Sequence, residues 1–314
     1  MGGAKLADGL AQVLPAQNLT VIVNTGDDFE HLGLHICPDL DTVCYTLAGR
    51  ANPATGWGCA NETWHALETI GELGGPTWFR LGDRDLGLHL ERTRRLREGQ
   101  TLSQVTRDFC RSWDIRPLVL PASDDPVPTW VSTDEGELPF QEYFVRRQCH
   151  PRVTGFRFAN ITEARPSPGV LDALKQADLV LICPSNPWVS IDPILAVPGI
   201  RTALQVLRVS TRQCVLAVSP IIGGKTVKGP AAKMYAELGI TPSALSVAHH
   251  YSPLLAGYVM DRLDADQADA VTSLGIFSLV TDTLMNTADD RRRLAAKVIN
   301  FGEELVAHKP PARG

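Results

Sequence analysis

Four carboxylates lie close together near the start of the sequence, Asp27 and Asp28 in Asn24-Thr25-Gly26-Asp27-Asp28, and Asp39 and Asp41 in Asp39-Leu40-Asp41-Thr42. Carboxylates packed this closely repel one another unless a cation or a donor-rich ligand comes between them, so a hard metal such as Mg²⁺ bridging a phosphate is the natural occupant. Taken singly, Asp27 and Asp39 read equally well as caps of a turn and of a helix. Together the two clusters favour a site. A second group of candidates is suited to phosphate: Gly2-Gly3 directly before a helical pattern, where backbone N–H groups approach an anion closely, with Lys5 adding a charge.

The elements that must position these residues follow from periodicity. Leu19 to Val23 is short, β-branched and closed by turn residues, which predicts a fully buried strand of a parallel sheet. Asp178 to Cys183 (DLVLIC) and Cys214 to Ser219 (CVLAVS) repeat the pattern. They end in Pro184-Ser185-Asn186-Pro187 and Pro220-Ile221-Ile222-Gly223-Gly224-Lys225-Thr226. Apolar strands ending in polar Gly/Pro/Ser/Asn loops are how a nucleotide cleft is built at the carboxyl edge of a doubly wound sheet. Ala4 to Leu14 puts Leu6, Leu10, Val13 and Leu14 on one helical face. Asn61 is expected to cap a helix with Trp64, Leu67, Ile70 and Leu73 facing inward. Trp78 to Leu81 reads as a strand running into Gly82-Asp83-Arg84-Asp85 on the same rim as Asp27, followed by a helix over 86–97 whose Arg92, Arg94, Arg95 and Arg97 form a solvated face or, as the alternative, turn an arginine to phosphate. Thr101 to Gln104 fits a capping box, and Pro117 to Pro121 a strand.

Residues 122–165 change character: Thr129 to Thr133 and Glu137 to Val145 flank a turn at Asp134-Glu135-Gly136, and Val153 to Ile161 adds a strand. After Ser167-Pro168 opens a helix the α/β alternation resumes, with Leu245 to Ala248 and Ile276 to Val280 as strands and 288–307 as a closing amphipathic helix. The expected fold is α/β, a Rossmann-like doubly wound and mostly parallel sheet, with residues 1–121 and 166–314 as core and 122–165 as a smaller inserted α+β subdomain.

A chain of 314 residues, 44% hydrophobic, buries a large core. Its net charge of -5 gives no basic footprint for nucleic acid. No apolar run approaches the roughly 20 residues of a membrane helix, so a cytoplasmic setting is expected. Seven scattered cysteines without CxxC spacing argue against a disulfide framework or a zinc site and read as small buried hydrophobes.

Two motifs almost fit. Ser219 to Thr226, SPIIGGKT, approaches the P-loop but has Ser where the first glycine would let backbone wrap a phosphate. Asp39-Leu40-Asp41-Thr42-Val43 matches the DxDx[TV] pattern of phosphatases and phosphotransferases with a nucleophilic Asp39. His249-His250, read as lying on a strand, point to opposite faces and cannot share one ion.

The strings GGAKLADGL, VNTGDDFEHLGLHICPDLDTVCYTLAG, GWGCANETW, LGDRDLGLHLERT, LPASDDPV, ICPSNPWVSIDPIL and SPIIGGKTVKG resemble the CofD/FbiA family of 2-phospho-L-lactate transferases, from Gly2 to about Asp261. The resemblance implies transfer of a phosphoester unit from a guanosine diphosphate-linked donor, lactyl or enolpyruvyl, onto the deazaflavin FO (7,8-didemethyl-8-hydroxy-5-deazariboflavin). The products would be coenzyme F-420-0 or its dehydro form and GMP, with Mg²⁺ required and a homodimer as the working form. It places Asp41 and Arg80 at FO, with Asp41 as the expected catalytic residue, and Gly2, Gly3 and Lys5 in the phosphate loop. Asp27 and Asp28 are expected to hold the metal. Loop placement puts Ser185 and Asn186 near guanosine, and Gly223, Gly224 and Lys225 near the diphosphate. The family pattern has a strand and a fuller GGTGG-type loop ahead of the first helix, whereas this sequence shows the loop's tail, Met1-Gly2-Gly3-Ala4-Lys5, so the expectation is either that the true start lies further upstream or that this copy lacks that central strand. Two other classes compete: a Mg²⁺-dependent DxDxT phosphatase, and a non-catalytic nucleotide-binding regulator.

Overall fold

The computed structural model describes residues 1–210, 212–226 and 231–308. Helix α1 (Gly2–Val13) is followed by strand β1 (Thr20–Val23), the hairpin of β2 (Phe29–His31) and β3 (Leu34–Ile36), and helix α2 (Pro38–Leu47). Helices α3 (His65–Glu72), α4 (Asp83–Arg97) and α5 (Leu102–Ser112) lead to β4 (Leu118–Pro121). Strands β5 (Thr129–Thr133), β6 (Gly136–Pro139) and β7 (Val153–Phe158) come next. The rest alternates: α6 (Val170–Gln176), β8 (Leu179–Ile182), α7 (Asp192–Ala196), α8 (Ile200–Val209), β9 (Cys214–Val218), the two-residue β10 (Ile221–Ile222) and β11 (Lys225–Thr226), α9 (Ala231–Glu237), α10 (Ala244–Tyr251), β12 (Gly257–Asp261), α11 (Ala268–Ser273), β13 (Phe277–Thr281) and α12 (Ala288–Ala307).

The central strands explain the layering. β9 and β12 are buried along their whole length and sit inside a parallel sheet of order β13-β12-β9-β8. Strands without polar alternation need cover on both faces. One cover includes α8, α10 and α11. The other is α1 with α12. The approach of α1 to α12 depends on Gly9, where a Cβ would lie 2.2 Å from the carbonyl oxygen of Arg291.

A second parallel pair, β1 with β4, packs against α2 and α5. The parallel strands thus fall into two sheets, and β1 and β8 line opposite sides of a slot of about 160 Å³ between them. β5, β6 and β7 form a three-stranded antiparallel sheet whose core shares Val189 and Met234 with the rest of the chain.

Several expectations are corrected. Leu245 to Ala248 belongs to helix α10, not a strand: Ser243 and Ser246 form a capping box, and buried Ala244, Val247, Ala248 and Tyr251 repeat at helical spacing. Trp78 to Leu81 is not a strand but an irregular segment, whose Trp78 and Phe79 rings pack on Phe29 and His31 of the hairpin. Helix α3 begins after Trp64 rather than at Asn61, whose φ is +56°, and buries none of its residues. Leu73, just beyond it, is 83% exposed. The strand expected over 137–145 stops at Pro139 and gives way to a π-helical turn, Glu142–Arg146. The helix expected to open at Pro168 starts two residues later, after Gly169 with φ +93°. β1 is only partly buried: Val23 is its buried residue, and Leu19, also buried, lies just before it.

Candidate active site

The carboxyl ends of β1 and β8 carry the rim of the site. Asn24, just past β1 and 3% exposed, organises it. Its side-chain nitrogen lies 3.0 Å from Asp27 Oδ1, 3.0 Å from Asp39 Oδ2 and 3.1 Å from the carbonyl of Val189, while its oxygen accepts from Gly26 N at 2.8 Å. Three acceptors compete for two amide protons, and two of them are carboxylates. Burial, then the charge of Asp39, pushes the Asp27 carboxyl well above the ordinary range; Asn24 and the chain's amino terminus pull the other way. Such a pair is relieved by a cation. The carboxylate oxygens of Asp27 and Asp39 suit a hard ion such as Mg²⁺.

Across the mouth stands the start of α1. Met1 offers no side-chain cap, and the first intrahelical bond runs from Lys5 N to Met1 O, so the amides of Gly2, Gly3 and Ala4 have no partner inside the helix. Gly3, Asn24, Asp39 and Ser185 line the same slot. A Cβ on Gly3 would sit 3.6 Å from Ser185 Oγ; one on Gly2 would lie 2.3 Å from the Pro184 carbonyl oxygen. The glycine pair is therefore what lets the helix start meet the turn after β8. At about 160 Å³ the slot is below the roughly 300–1,000 Å³ of small-molecule pockets, so only its polar mouth is a candidate for substrate.

Asp41 is placed differently. On the far side of the first turn of α2 and 6% exposed, it forms a two-pronged pair with Arg92 of α4, Nη1 at 3.1 Å from Oδ2 and Nη2 on Oδ1. His89 Nδ1 is 3.2 Å from Arg92 Nη1 and 3.7 Å from Asp41 Oδ2. Burial holds the His89 pKa down at about 4, so this ring is neutral at pH 7. One turn further along α2, Tyr45 donates to Asp85 of α4 at 2.7 Å, and burial raises Asp85 to about 6. The Asp41 carboxylate is thus committed inside the protein rather than offered to the mouth.

The remaining candidates scatter. Asp28 turns from Asp27 towards His35, 3.7 Å away, and burial raises its pKa against the pull of His35. Arg80 is exposed and stacks over Trp64 at 4.4 Å. Lys5 donates to the Met285 carbonyl at 2.8 Å. Asn186 caps the π-helical turn Pro187–Ile191 through Trp188 N, so of the two only Ser185 lines the slot. Gly223 and Gly224, φ +56° and +71°, form the turn of the β10–β11 hairpin. Gly223 N donates to Asp264 at 3.0 Å, and a Cβ on Gly224 would face the Pro242 carbonyl oxygen. Lys225 is exposed on β11. This hairpin is no Walker loop, which needs a strand, a wrapped loop and then a helix. Val227, Lys228 and Gly229 of the same string lie outside the described residues. Asp39 and Asp41 occupy a helix turn and face apart, so they do not make the paired loop carboxylates of a DxDxT phosphatase. His250 of α10 pairs with Asp192 at 2.9 Å.

Residues 1–296 match the family profile described as 2-phospho-L-lactate transferase CofD. The chain belongs to this family. A Streptomyces coelicolor protein named phosphoenolpyruvate transferase is 42% identical over 311 residues, covering 97% of this chain and 96% of that one. A Methanosarcina mazei protein named 2-phospho-L-lactate transferase is 38% identical over 298 residues, covering 95% and 96%. A crystal structure of a UPF0052 family protein from Bacillus halodurans superposes with a TM-score of 0.61 at 16% identity over 95% of this chain, a likeness of fold. As a member of the CofD family the chain is a transferase, and its Asn24, Asp27, Asp39, Gly3 and Ser185 converge at the carboxyl ends of β1 and β8. In the sequence Asn24 reads only as a turn residue. Arg92 reads as part of a solvated arginine face, although Asp85, His89 and Arg92 share one side of α4 at helical spacing, a signal that the face points inward.

Proposed function

We propose that this CofD-family transferase moves a three-carbon phosphoester unit, enolpyruvyl or lactyl, from a guanosine diphosphate-linked donor to the deazaflavin FO, in coenzyme F-420 biosynthesis. The observation that carries this reading is the meeting of the uncapped start of α1, the Asn24-held carboxylates Asp27 and Asp39, and Ser185 at one mouth. Anion donors face carboxylates there, the arrangement a phosphate with its counter-cation requires.

In this reading the terminal hydroxyl of the FO side chain attacks the phosphorus that bears the three-carbon unit, and GMP leaves. Transfer of this type asks for alignment and charge neutralisation more than for a covalent protein nucleophile. Asp27 and Asp39 would hold Mg²⁺, which when bound offsets the phosphate charge. The amides of Gly2 and Gly3 would bind the phosphate oxygens from the opposite side, and Ser185 would position the nucleotide. The Asp41–Arg92 pair would fix the first turn of α2, so that Asp39 faces the mouth. Arg80, exposed on the loop beside the aromatic cluster of Phe29, His31, Trp78 and Phe79, would meet the deazaflavin ring. A homodimer and a cytoplasmic setting belong to the same reading.

FO is fluorescent, so titrating the chain with FO in the presence and absence of GDP and Mg²⁺ tests the proposal directly. Saturable binding tightened by both, followed by turnover with an enolpyruvyl or lactyl donor, is expected. Nucleotide binding with no affinity for FO would instead favour a regulator. The names of the Streptomyces relatives make the enolpyruvyl donor the first to try.

A further inference from the structure

The β2–β3 hairpin presents a donor set that the transfer chemistry does not use. Its register pairs Phe29 with Ile36 and Glu30 with His35, so Asp28 and Cys37 stand opposite each other one step further out. Alternate residues of a strand share a face, which puts His35 and Cys37 on the same side as Asp28. One carboxylate oxygen, one imidazole nitrogen and one sulfur from these residues lie within 4.8 Å of one another.

We propose that Asp28, His35 and Cys37 form a binding site for a thiophilic divalent cation of the Zn²⁺ and Co²⁺ class, separate from the Mg²⁺ position read at Asp27 and Asp39. A tetrahedral ion with bonds of about 2.0–2.3 Å to such donors sets them roughly 3.3–3.8 Å apart. The Asp28–His35 separation of 3.7 Å already falls there, and the widest separation needs to close by about 1 Å. A second observation points to a missing partner: Asp28, with a side chain only 9% exposed, has its Oδ1 buried without any hydrogen bond. Buried polar atoms are otherwise satisfied as a rule. Thiolate and imidazole beside a carboxylate select borderline and soft ions over Mg²⁺.

His35, one-third exposed, gives the ion its access route, whereas Cys37 is fully buried at the cap of α2. The nearby Arg92 guanidinium opposes a cation, but its charge is already matched by Asp41. On binding, the Cys37 thiol releases its proton to solvent, and three protein bonds to the ion form with a water in the fourth position. The ion would pin the hairpin to the residue two before Asp39, setting the start of the helix that presents this carboxylate. The absence of CxxC spacing does not bear on such a site, because its ligands come from an HxC strand and the residue across from it.

Titration of the full chain with Co²⁺ in excess Mg²⁺ tests this without any assay of activity. The expected result is one Co²⁺ per chain with a thiolate-to-cobalt charge-transfer band, intense tetrahedral visible bands, and displacement of both by Zn²⁺. Cys37→Ser should abolish the charge-transfer band, His35→Ala should weaken Co²⁺ binding at least about tenfold, and Cys183→Ser should leave the spectrum unchanged. No charge-transfer band in the parent chain, a band surviving Cys37→Ser, or His35→Ala binding as tightly as the parent would overturn the proposal. If Cys37→Ser does not fold by circular dichroism, His35→Ala, at a residue one-third exposed, decides alone.

Discussion

Asp39 and Asp41 stand two residues apart in one helix turn and lead different lives. Asp41 looks into the protein and is matched by Arg92 with His89 behind it. Asp39 looks onto the slot, shares a single amide with Asp27, and has a like charge for a neighbour. A helix places residues two apart on nearly opposite faces, so one short string supplies both an anchor and a reactive edge. The lesson is that a carboxylate's role is read from who neutralises it. A charge already satisfied holds structure; one left in conflict awaits a ligand.

The comparison breaks most easily at the anchor. Arg92→Ala leaves Asp41 buried without a counter-charge and should cost about 3–5 kcal/mol in urea unfolding. Replacing both partners, Asp41→Leu with Arg92→Met, should recover most of that loss. On the rim the order reverses: Asp39→Asn should lower turnover by about 10²–10³ while the melting temperature holds or rises, since the conflict with Asp27 is gone. A variant that unfolds there would mean Asp39 is also an anchor. A smaller effect separates the two glycines. Gly2→Ala forces a Cβ towards backbone 2.3 Å away and should cost about 1–3 kcal/mol, with weaker nucleotide binding. Gly3→Ala meets only ordinary contacts at 3.6 Å and should stay within about 0.5 kcal/mol.

Smallest is a pH effect. Asp85 titrates near 6 in the folded chain because of its burial, against 3.8 for an ordinary aspartate. A raised folded pKa means that the folded state binds the proton more tightly. Its contribution to stability is complete below 3.8 and is lost as pH rises through about 6. Asp27, also raised, acts with the same sign. Asp85→Asn should flatten the decline of melting temperature across that window, and Mg²⁺ should raise the melting temperature more at neutral than at acid pH if Asp27 holds it.

The sequence made the backbone of the site legible where one physical rule dominates. DLVLIC and CVLAVS are parallel strands because no polar alternation interrupts them, and Thr101 to Gln104 is a capping box as its spacing requires. Asp27 and Asp39 were visible because their repulsion needs an answer. Asp41 was grouped with them because counting charges does not reveal that Arg92, fifty-one positions on, cancels one of them. Leu245 to Ala248 is too short for period 2 and period 3.6 to be told apart, and only the Ser243–Ser246 cap decides for the helix. The hairpin's Asp28, His35 and Cys37 converge across a register that spacing in the chain does not express.

The packing of α1 on α12 has a consequence for how the molecule comes into being. Gly9 lies against Arg291, and Lys5 reaches Met285 across 280 residues, so α1 is made long before its docking partner α12. Contacts this distant in sequence are slow to close, and domains emerge from the ribosome amino terminus first. The helix start on the rim must therefore wait in solution, its leucine face uncovered, until α12 has been synthesised. The nascent protein would gain this edge of the candidate site only once α12 has docked. A nascent chain lacking the final helix would be caught with an intact β9–β12 centre and an open mouth, a natural client for chaperones.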